Sequence, residues 1–242
     1  MTPRLSHSAT ALVLACALAL AAPDALAQDG LAVGVRVGVE RYDLGDVRGW
    51  QRAERAQLAG LGVPAAVTDD FPPYLALGAE VSVPTWWDDR AGLSLRYGST
   101  GGRVAYADYS GSVRADWVVQ RWSAGAFVEQ RLYQSGPFAA VLALHGLVDH
   151  GVVRFEGRTE LYDEAATDRL PDLTALSFSA EPELGVERAF GPLALRVRGG
   201  GGVSFGGMLR VDGERVGLPG SSGASSVQWL GWRFGLTARY AL

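Results

Sequence analysis

His145, Asp149 and His150 lie close together in the sequence and are the side chains best suited to acid–base catalysis. An imidazole next to a carboxylate can serve as the general base of a hydrolase. A serine two residues from the histidine would share its strand face, since side chains alternate between the two faces, and could then serve as the nucleophile. Leu147 and Val152 stand at those positions. The sequence therefore predicts that the protein is not an enzyme, with an active site assembled from distant residues as the alternative.

The run of four glycines at 199–202 has the flexibility of a phosphate-binding loop. Such loops open a helix and, in nucleotide hydrolases, include a lysine. This chain contains no lysine, so all 22 of its basic residues are arginine. Neither a Walker loop nor a Schiff base can be built from it. We therefore predict no cofactor and interpret the glycines as small residues that let a strand pack closely in a crowded interior.

One acidic cluster could bind a divalent cation. It consists of Asp163, Glu164, Asp168 and Asp172. Calcium loops place their oxygen ligands at a characteristic spacing that ends in a bidentate glutamate. The spacing here matches no such pattern, so the sequence predicts a solvated loop and no metal site. The formal net charge of −4 gives no indication of nucleic-acid binding.

A larger set of charged residues recurs at alternate positions of apolar segments. Because alternate residues of a strand share a face, we predict that the whole set lines the interior of the fold. Its members are Arg36, Glu40, Glu80, Arg96, Glu129, Arg131, Glu181, Glu183, Glu187, Arg196, Arg198, Arg233 and Arg239. A buried charge is stable only when it is paired, and the planar guanidinium suits two-point pairing with a carboxylate. The set predicts a structural salt-bridge network that plugs the lumen, and a charged pore is the alternative.

The strands that would carry these charges are clearest over residues 226–242, where every second residue is largely apolar. These residues are Leu230, Trp232, Phe234, Leu236, Ala238, Tyr240 and Leu242. A strand that crosses a bilayer takes about 9–11 residues at a tilt of about 45°. One side in lipid and one side in a polar lumen give this alternation, so the stretch predicts a membrane-spanning strand.

The same alternation recurs along the chain and predicts eight antiparallel strands. They cover residues 31–41, 74–85, 91–98, a segment that ends at 133, and residues 138–148, 175–189, 193–205 and 226–242. Short turns at 86–89, 134–137 and 190–192 alternate with longer loops at 43–73, between about 99 and 114, at 149–174 and at 206–225. Short turns on one side and long loops on the other are typical of a bacterial outer-membrane β-barrel. The predicted fold class is therefore an all-β, eight-stranded antiparallel transmembrane barrel.

Three segments carry more specific expectations. Residues 48–58 of the first loop predict a short helix. Residues 113–119 and 122–128 alternate in opposite phases, which predicts a β-bulge near Arg121. Trp86 and Trp87 predict an aromatic girdle at the membrane boundary, because indole side chains favour that interface.

The N-terminus predicts a cleaved signal peptide over residues 1–27, followed by the barrel over 28–242. Arg4 supplies the positive charge, an apolar run follows, and Ala25-Leu26-Ala27 is a small-x-small cleavage site. The only cysteine, Cys16, lies within this segment, so the mature chain is expected to have no disulfide. An exported chain of this kind is expected in the outer membrane.

Two sequence motifs resemble those of a known class of proteins. Residues 127–133 precede Gly136-Pro137-Phe138, and residues 184–187 precede Phe190-Gly191-Pro192-Leu193. They resemble the porin-like barrel-domain proteins among the small eight-stranded outer-membrane barrels, the OmpA/OmpX-like class. The resemblance covers the mature chain, and its motifs belong to turns and strands rather than to a catalytic site.

The resemblance implies a monomer in contact with outer-membrane lipid and lipopolysaccharide, assembled by the barrel-assembly machinery through its C-terminal strand, without a nucleic-acid partner. It implies a structural or surface-interaction platform. A narrow passive channel is the alternative, and a lipid-modifying enzyme is a third possibility, because a fold alone does not fix an activity.

Overall fold

The computed structural model describes residues 30–85, 89–161, 164–217 and 223–242. The predicted signal peptide, the tryptophan pair at 86 and 87, and Asp163 lie outside the described residues. Within the described part of the chain, no helix is both long and apolar enough to cross a membrane.

The described residues form one helix and twelve strands. In chain order these are β1 (Ala32–Tyr42), α1 (Asp46–Gly60), β2 (Ala66–Asp70), β3 (Tyr74–Pro84), β4 (Arg90–Asp108), β5 (Gly111–Ser135), β6 (Phe138–Leu161), β7 (Glu164–Arg169), β8 (Leu173–Phe190), β9 (Leu193–Gly206), β10 (Arg210–Val211), β11 (Glu214–Arg215) and β12 (Gly231–Ala241).

Eight of the strands close into a ring. The antiparallel pairs run β1–β3, β3–β4, β4–β5, β5–β6, β6–β8, β8–β9 and β9–β12, and β12 returns to β1. In the pair of β1 and β12, which closes the ring, the register is unbroken from Ala32 opposite Ala241 to Tyr42 opposite Gly231. Because the ring leaves no free edge within the wall, the predicted eight-stranded antiparallel barrel is confirmed.

The outer wall of the ring is apolar on every strand. Each strand presents a large hydrophobic side chain to the outside: Val35, Leu75, Leu93, Val128, Leu144, Leu184, Val197 and Phe234. Their exposed fractions lie between 50 and 62%. A wall of this kind in water would be a large unfavourable apolar surface, whereas in a bilayer it is the lipid-facing belt. The alternation predicted from the sequence, with one apolar face of each strand turned outward, is therefore confirmed.

The two ends of the barrel differ. The turn end holds the three short connections, β3–β4, β5–β6 and β8–β9, together with the start of β1 and the end of β12. The opposite end, which we call the loop end, holds α1, β2, β7, β10 and β11. On the outer wall towards the loop end, the rings of Tyr97 and Trp122 pack in a tilted arrangement with centroids 4.5 Å apart.

Two of the predicted loops are wrong. The second loop is absent, because β4 continues to Asp108 and β5 begins at Gly111. The third is shorter than expected, because β6 continues to Leu161 and pairs there with β7. In both cases the chain becomes polar where it leaves the bilayer, yet its backbone still forms the ladder of hydrogen bonds. A change to polar residues therefore did not mark the end of these strands.

The bulge predicted near Arg121 is also wrong. Odd-numbered residues of β5 point inward without a change of phase, including Trp117, Val119, Arg121 and Phe127. The apolar residues that suggested a second phase face an apolar core inside the loop end. The irregularity of β5 lies instead between Arg131 and Tyr133.

The helix predicted over residues 48–58 is confirmed as α1. Its buried face carries Val47, Gln51 and Leu58. Gln51 donates from Nε2 to the backbone oxygen of Asp69 at 2.6 Å, and Asp46 accepts from the backbone N–H of Ser226 at 2.8 Å. The helix therefore covers the loop end, above an apolar core that includes Phe71, Val104, Trp117, Val153, Leu209, Val227 and Trp229.

Candidate functional site: the charged lumen

The buried charges of the described residues balance. Seven arginines are buried: Arg36, Arg96, Arg121, Arg196, Arg198, Arg233 and Arg239. Seven carboxylates are buried with them: Glu40, Glu80, Glu129, Asp149, Glu181, Glu183 and Glu187. A low-dielectric interior tolerates ions only as compensated sets, and this set has no net charge.

Glu181 on β8 is the centre of the network and is 0% exposed. Arg96 donates to its Oε2 from Nη1 at 2.5 Å, and Arg121 donates to its Oε1 from Nη2 at 2.8 Å. Arg233 on β12, which is separated from β8 by β9 alone, also donates to Oε2. One carboxylate therefore ties together β4, β5, β8 and β12.

Glu183, two residues further along the same inward face, holds a second cluster. Arg36 donates from Nη2 to its Oε1 at 2.7 Å. Nη1 of Arg198 lies 3.2 Å from its Oε2, and Nε of Arg233 lies 3.3 Å from its Oε1. Arg198 also reaches Glu80 on β3 at 3.2 Å. Arg233 thus joins the Glu181 and Glu183 clusters.

A third cluster lies near the turn end. Arg196 donates to Glu129 from Nη2 at 2.9 Å and to Glu187 from Nη2 at 2.7 Å. Arg239 donates to Glu129 at 2.7 Å and also pairs with Glu187. Two cations and two anions alternate in this cluster, so each ion has two partners of opposite sign.

Arg121 and Asp149 belong to the network and were missed from the sequence. Arg121 donates from Nε to Asp149 at 2.9 Å. Its guanidinium also lies over the rings of Tyr42 and Trp229, at 4.7 and 5.1 Å from their centroids. The supposed bulge removed Arg121 from the inward set, although an unbroken odd-numbered phase would have included it. Asp149 was assigned to a loop, and β6 in fact carries it inward.

Arg131 lies at the rim of the turn end rather than in the bore. Its side chain is exposed, and Nη1 donates to Oε1 of Gln134 at 3.0 Å. It lies just before the irregularity in β5, where the strand leaves the wall at the turn end. The structure therefore places the other twelve predicted residues inside the barrel and Arg131 at its rim.

Glycines on the inward face provide the room that the long charged side chains occupy. A Cβ on Gly200 would lie 2.2 Å from the backbone oxygen of Pro182 and 2.9 Å from Cγ of Glu183. No helix follows the glycine run, since β9 continues to Gly206. The structure thus agrees with close packing and not with a phosphate loop.

Gly200→Ala should lower the free energy of unfolding by about 1–3 kcal/mol, as overpacking of a tight interior does. Urea-induced unfolding in lipid vesicles, followed by tryptophan fluorescence, would measure the change. Gly146→Ala is the matched control, because nothing lies within 4 Å of the Cβ it would add on the outer wall. Equal effects of the two substitutions would contradict the packing role of Gly200.

The residues considered for hydrolysis do not come together. His145 is buried in the lumen, with Nε2 3.4 Å from Glu183, whereas His150 is exposed on the outer wall. Asp149 pairs with Arg121 rather than with a histidine. In the acidic cluster, Asp172 accepts from Arg154 at 2.9 Å. Among the described residues there is no group of three or more side chains positioned to hold a metal ion.

No protein-family model matches the chain, and no curated protein does so. The structure is similar to the crystal structure of Ail, the attachment invasion locus protein of Yersinia pestis, with a TM-score of 0.38 and 12% identity, covering 88% of this chain and 99% of that chain. It is also similar to that of Neisserial surface protein A, with a TM-score of 0.35 and 9% identity, covering 88% and 97%. At this level of similarity, the fold assignment rests on the strand pairing of the chain itself.

Proposed function

We propose that this chain is a non-catalytic outer-membrane barrel that presents a structured surface to the outside of the cell and whose lumen is plugged by its own side chains. The proposal is carried by one observation: the balanced network of seven arginines and seven carboxylates that crosses the bore. The wall has eight strands, and a barrel of that size is only wide enough for side chains to fill.

The apolar core at the loop end supports a closed lumen. Trp117 and Trp229 are 2 and 1% exposed, and they lie between the charged network and the helix α1. Ions or small polar solutes would have to displace this packed layer as well as the ion pairs. A passive channel therefore needs two separate rearrangements, one in each layer.

The loop end supports a role in surface interaction. The hairpin between β4 and β5 ends in Tyr109, which is 99% exposed. Asp108 fixes this turn by accepting from the backbone N–H of Ser110 at 2.8 Å and from its hydroxyl at 2.6 Å. The same hydrogen bonds lower the pKa of Asp108 below its ordinary value. An exposed tyrosine on a preformed turn loses little conformational entropy on binding, and tyrosine is common in binding hot spots.

The purified protein should show little conductance in a planar bilayer, because the paired side chains occupy the bore. Single-channel recording in concentrated salt would measure this, with an open porin in the same bilayer as the positive control. Large, stable, ohmic channels would overturn the plug and favour the passive channel.

The same protein in vesicles of phospholipid and lipopolysaccharide should leave lipid composition unchanged by mass spectrometry. A lipid product that forms with the wild type and disappears with His145→Ala would contradict the absence of catalysis. A normally folded His145→Ala variant is required for that comparison, and the heat-dependent shift in gel mobility that folded barrels show would report on it.

A further inference from the structure

Three arginines lie along one flank of α1. Arg48, Arg52 and Arg55 occupy positions i, i+4 and i+7, which fall on the same side of a helix. From the first to the last they span roughly 10 Å along the helix axis. Beside them a groove of about 370 Å³ separates the helix from β2, lined by Arg48, Gln51, Arg52, Arg55, Val67 and Asp70. We call these six residues the arginine groove.

Both walls of the arginine groove are held in place. Gln51 is 1% exposed and donates from Nε2 to backbone oxygens of both neighbouring strands, Asp69 at 2.6 Å and Arg103 at 3.3 Å. At the other flank of the helix, Trp50 donates from Nε1 to the hydroxyl of Ser225 at 3.2 Å. The helix therefore presents its arginines from a fixed backbone, which lowers the entropic cost of binding a ligand.

The charges in the arginine groove are not balanced, unlike those in the lumen. Arg48 pairs with Asp70 at 2.9 Å. Among the described residues, the one hydrogen bond of the Arg52 side chain goes to the backbone oxygen of Arg48, at 3.3 Å. Arg55 has no ion pair or hydrogen bond within the described part of the chain. Three cations thus face one carboxylate, on a protein whose formal net charge is −4.

We infer that the arginine groove binds a glycan that carries closely spaced oxyanions, either sulfate or phosphate groups. The planar guanidinium forms two parallel hydrogen bonds with such groups, which gives strength and orientation together. Val67 supplies an apolar contact for the carbon face of a sugar ring. No aromatic side chain lines the groove, so it lacks the stacking platform that single-stranded nucleic acid needs.

This inference rests on the proposed function, because the loop end must face the outside for the groove to meet such a glycan. Two sources share the chemistry: a free sulfated polysaccharide, and the phosphorylated sugars of lipopolysaccharide. Separate probes distinguish them. The conductance test concerns the lumen alone, so its failure and the failure of this inference are separable.

The test uses the full chain in phospholipid nanodiscs and compares dextran sulfate with neutral dextran by biolayer interferometry. Dextran sulfate should bind and neutral dextran should not. The double variant Arg52→Gln, Arg55→Gln should weaken binding by about tenfold or more, because two charge-assisted contacts are lost. It should also reduce the dependence of affinity on salt concentration.

The matched control is the double variant Arg210→Gln, Arg215→Gln. It removes the same two charges from the exposed hairpin of β10 and β11, at the same end of the barrel. Binding of dextran sulfate by this variant should stay within about twofold of the wild type, since a general electrostatic attraction is a weak, long-range effect. Equal losses of binding in the two double variants would overturn the inference. So would a wild type that binds neither dextran sulfate nor lipopolysaccharide.

Two further probes identify the source and the class of ligand. Binding to lipopolysaccharide nanodiscs that requires Arg52 and Arg55, without binding to dextran sulfate, would assign the groove to phosphorylated sugars. Binding to dextran sulfate alone would assign it to a sulfated polysaccharide. Binding of single-stranded DNA as tightly as either glycan, with the same dependence on the two arginines, would overturn the glycan assignment.

Discussion

Replacing Glu181 with alanine is expected to lower the free energy of unfolding by about 3–5 kcal/mol, the cost of leaving buried charges without a partner. Arg96, Arg121 and Arg233 all donate to this carboxylate, and it is fully buried. Its removal leaves the interior with one excess positive charge. Reversible unfolding in urea in the presence of lipid vesicles, with tryptophan fluorescence as the signal, would measure the change.

The exposed pair of Arg158 and Glu160 provides the control. Its atoms approach to 2.5 Å, as closely as the buried pair of Arg96 and Glu181, but both side chains are solvated. Glu160→Ala should therefore change stability by only about 0–1 kcal/mol. The double variant Glu181→Ala, Arg233→Ala should cost less than the sum of its single variants, because the second removal eliminates an unpaired charge. Strict additivity would contradict a coupled network.

Leu144→Arg is expected to destabilise the barrel by about 2–4 kcal/mol, since its side chain faces the hydrocarbon near the middle of the bilayer. Leu144 is 50% exposed and lies about halfway along the membrane-spanning part of β6, between Phe138 at the turn end and the level of Trp122. The same unfolding assay would report the loss.

Leu61→Arg is the control, because the Leu61 side chain is exposed to water rather than to lipid. Leu61 is 74% exposed at the C-terminal end of α1, beyond the barrel wall. Arginine there should leave stability within about 0.5 kcal/mol of the wild type, as exposed substitutions in water usually do. A similar loss at both positions would contradict the assignment of the outer wall to the bilayer.

The sequence predicted the barrel wall well because the bilayer imposes a simple rule. Lipid accepts only apolar side chains, so Leu144, Leu184 and Phe234 alternate with inward residues across the full thickness of the membrane. The same rule placed Glu181, Glu183 and Arg233 inside. It holds only where one face of a strand meets lipid, and for this reason it located faces better than strand ends.

Beyond the membrane the rule no longer applies, and there the strand ends and the phase of β5 were predicted wrongly, although the helix α1 was predicted correctly. Trp117 and Val119 are apolar yet point inward, because an apolar core replaces the charged network at the loop end. Their pattern therefore looked like a change of phase, and Arg121 was lost from the inward set. The pairings that Arg121 makes with Asp149 and Glu181 join residues distant in sequence, and no local pattern encodes them.

The position of two arginines on the last strand has a consequence for biogenesis. Arg233 and Arg239 are both on β12, and they supply cations to Glu181, Glu129 and Glu187. A chain whose last strand has not yet docked would hold seven buried carboxylates against five arginines. That surplus of negative charge makes a barrel without β12 electrostatically unfavourable. It therefore favours docking of β12, with its two arginines, between β9 and β1. Docking of β12 into the wall is thus coupled to neutralisation of the interior.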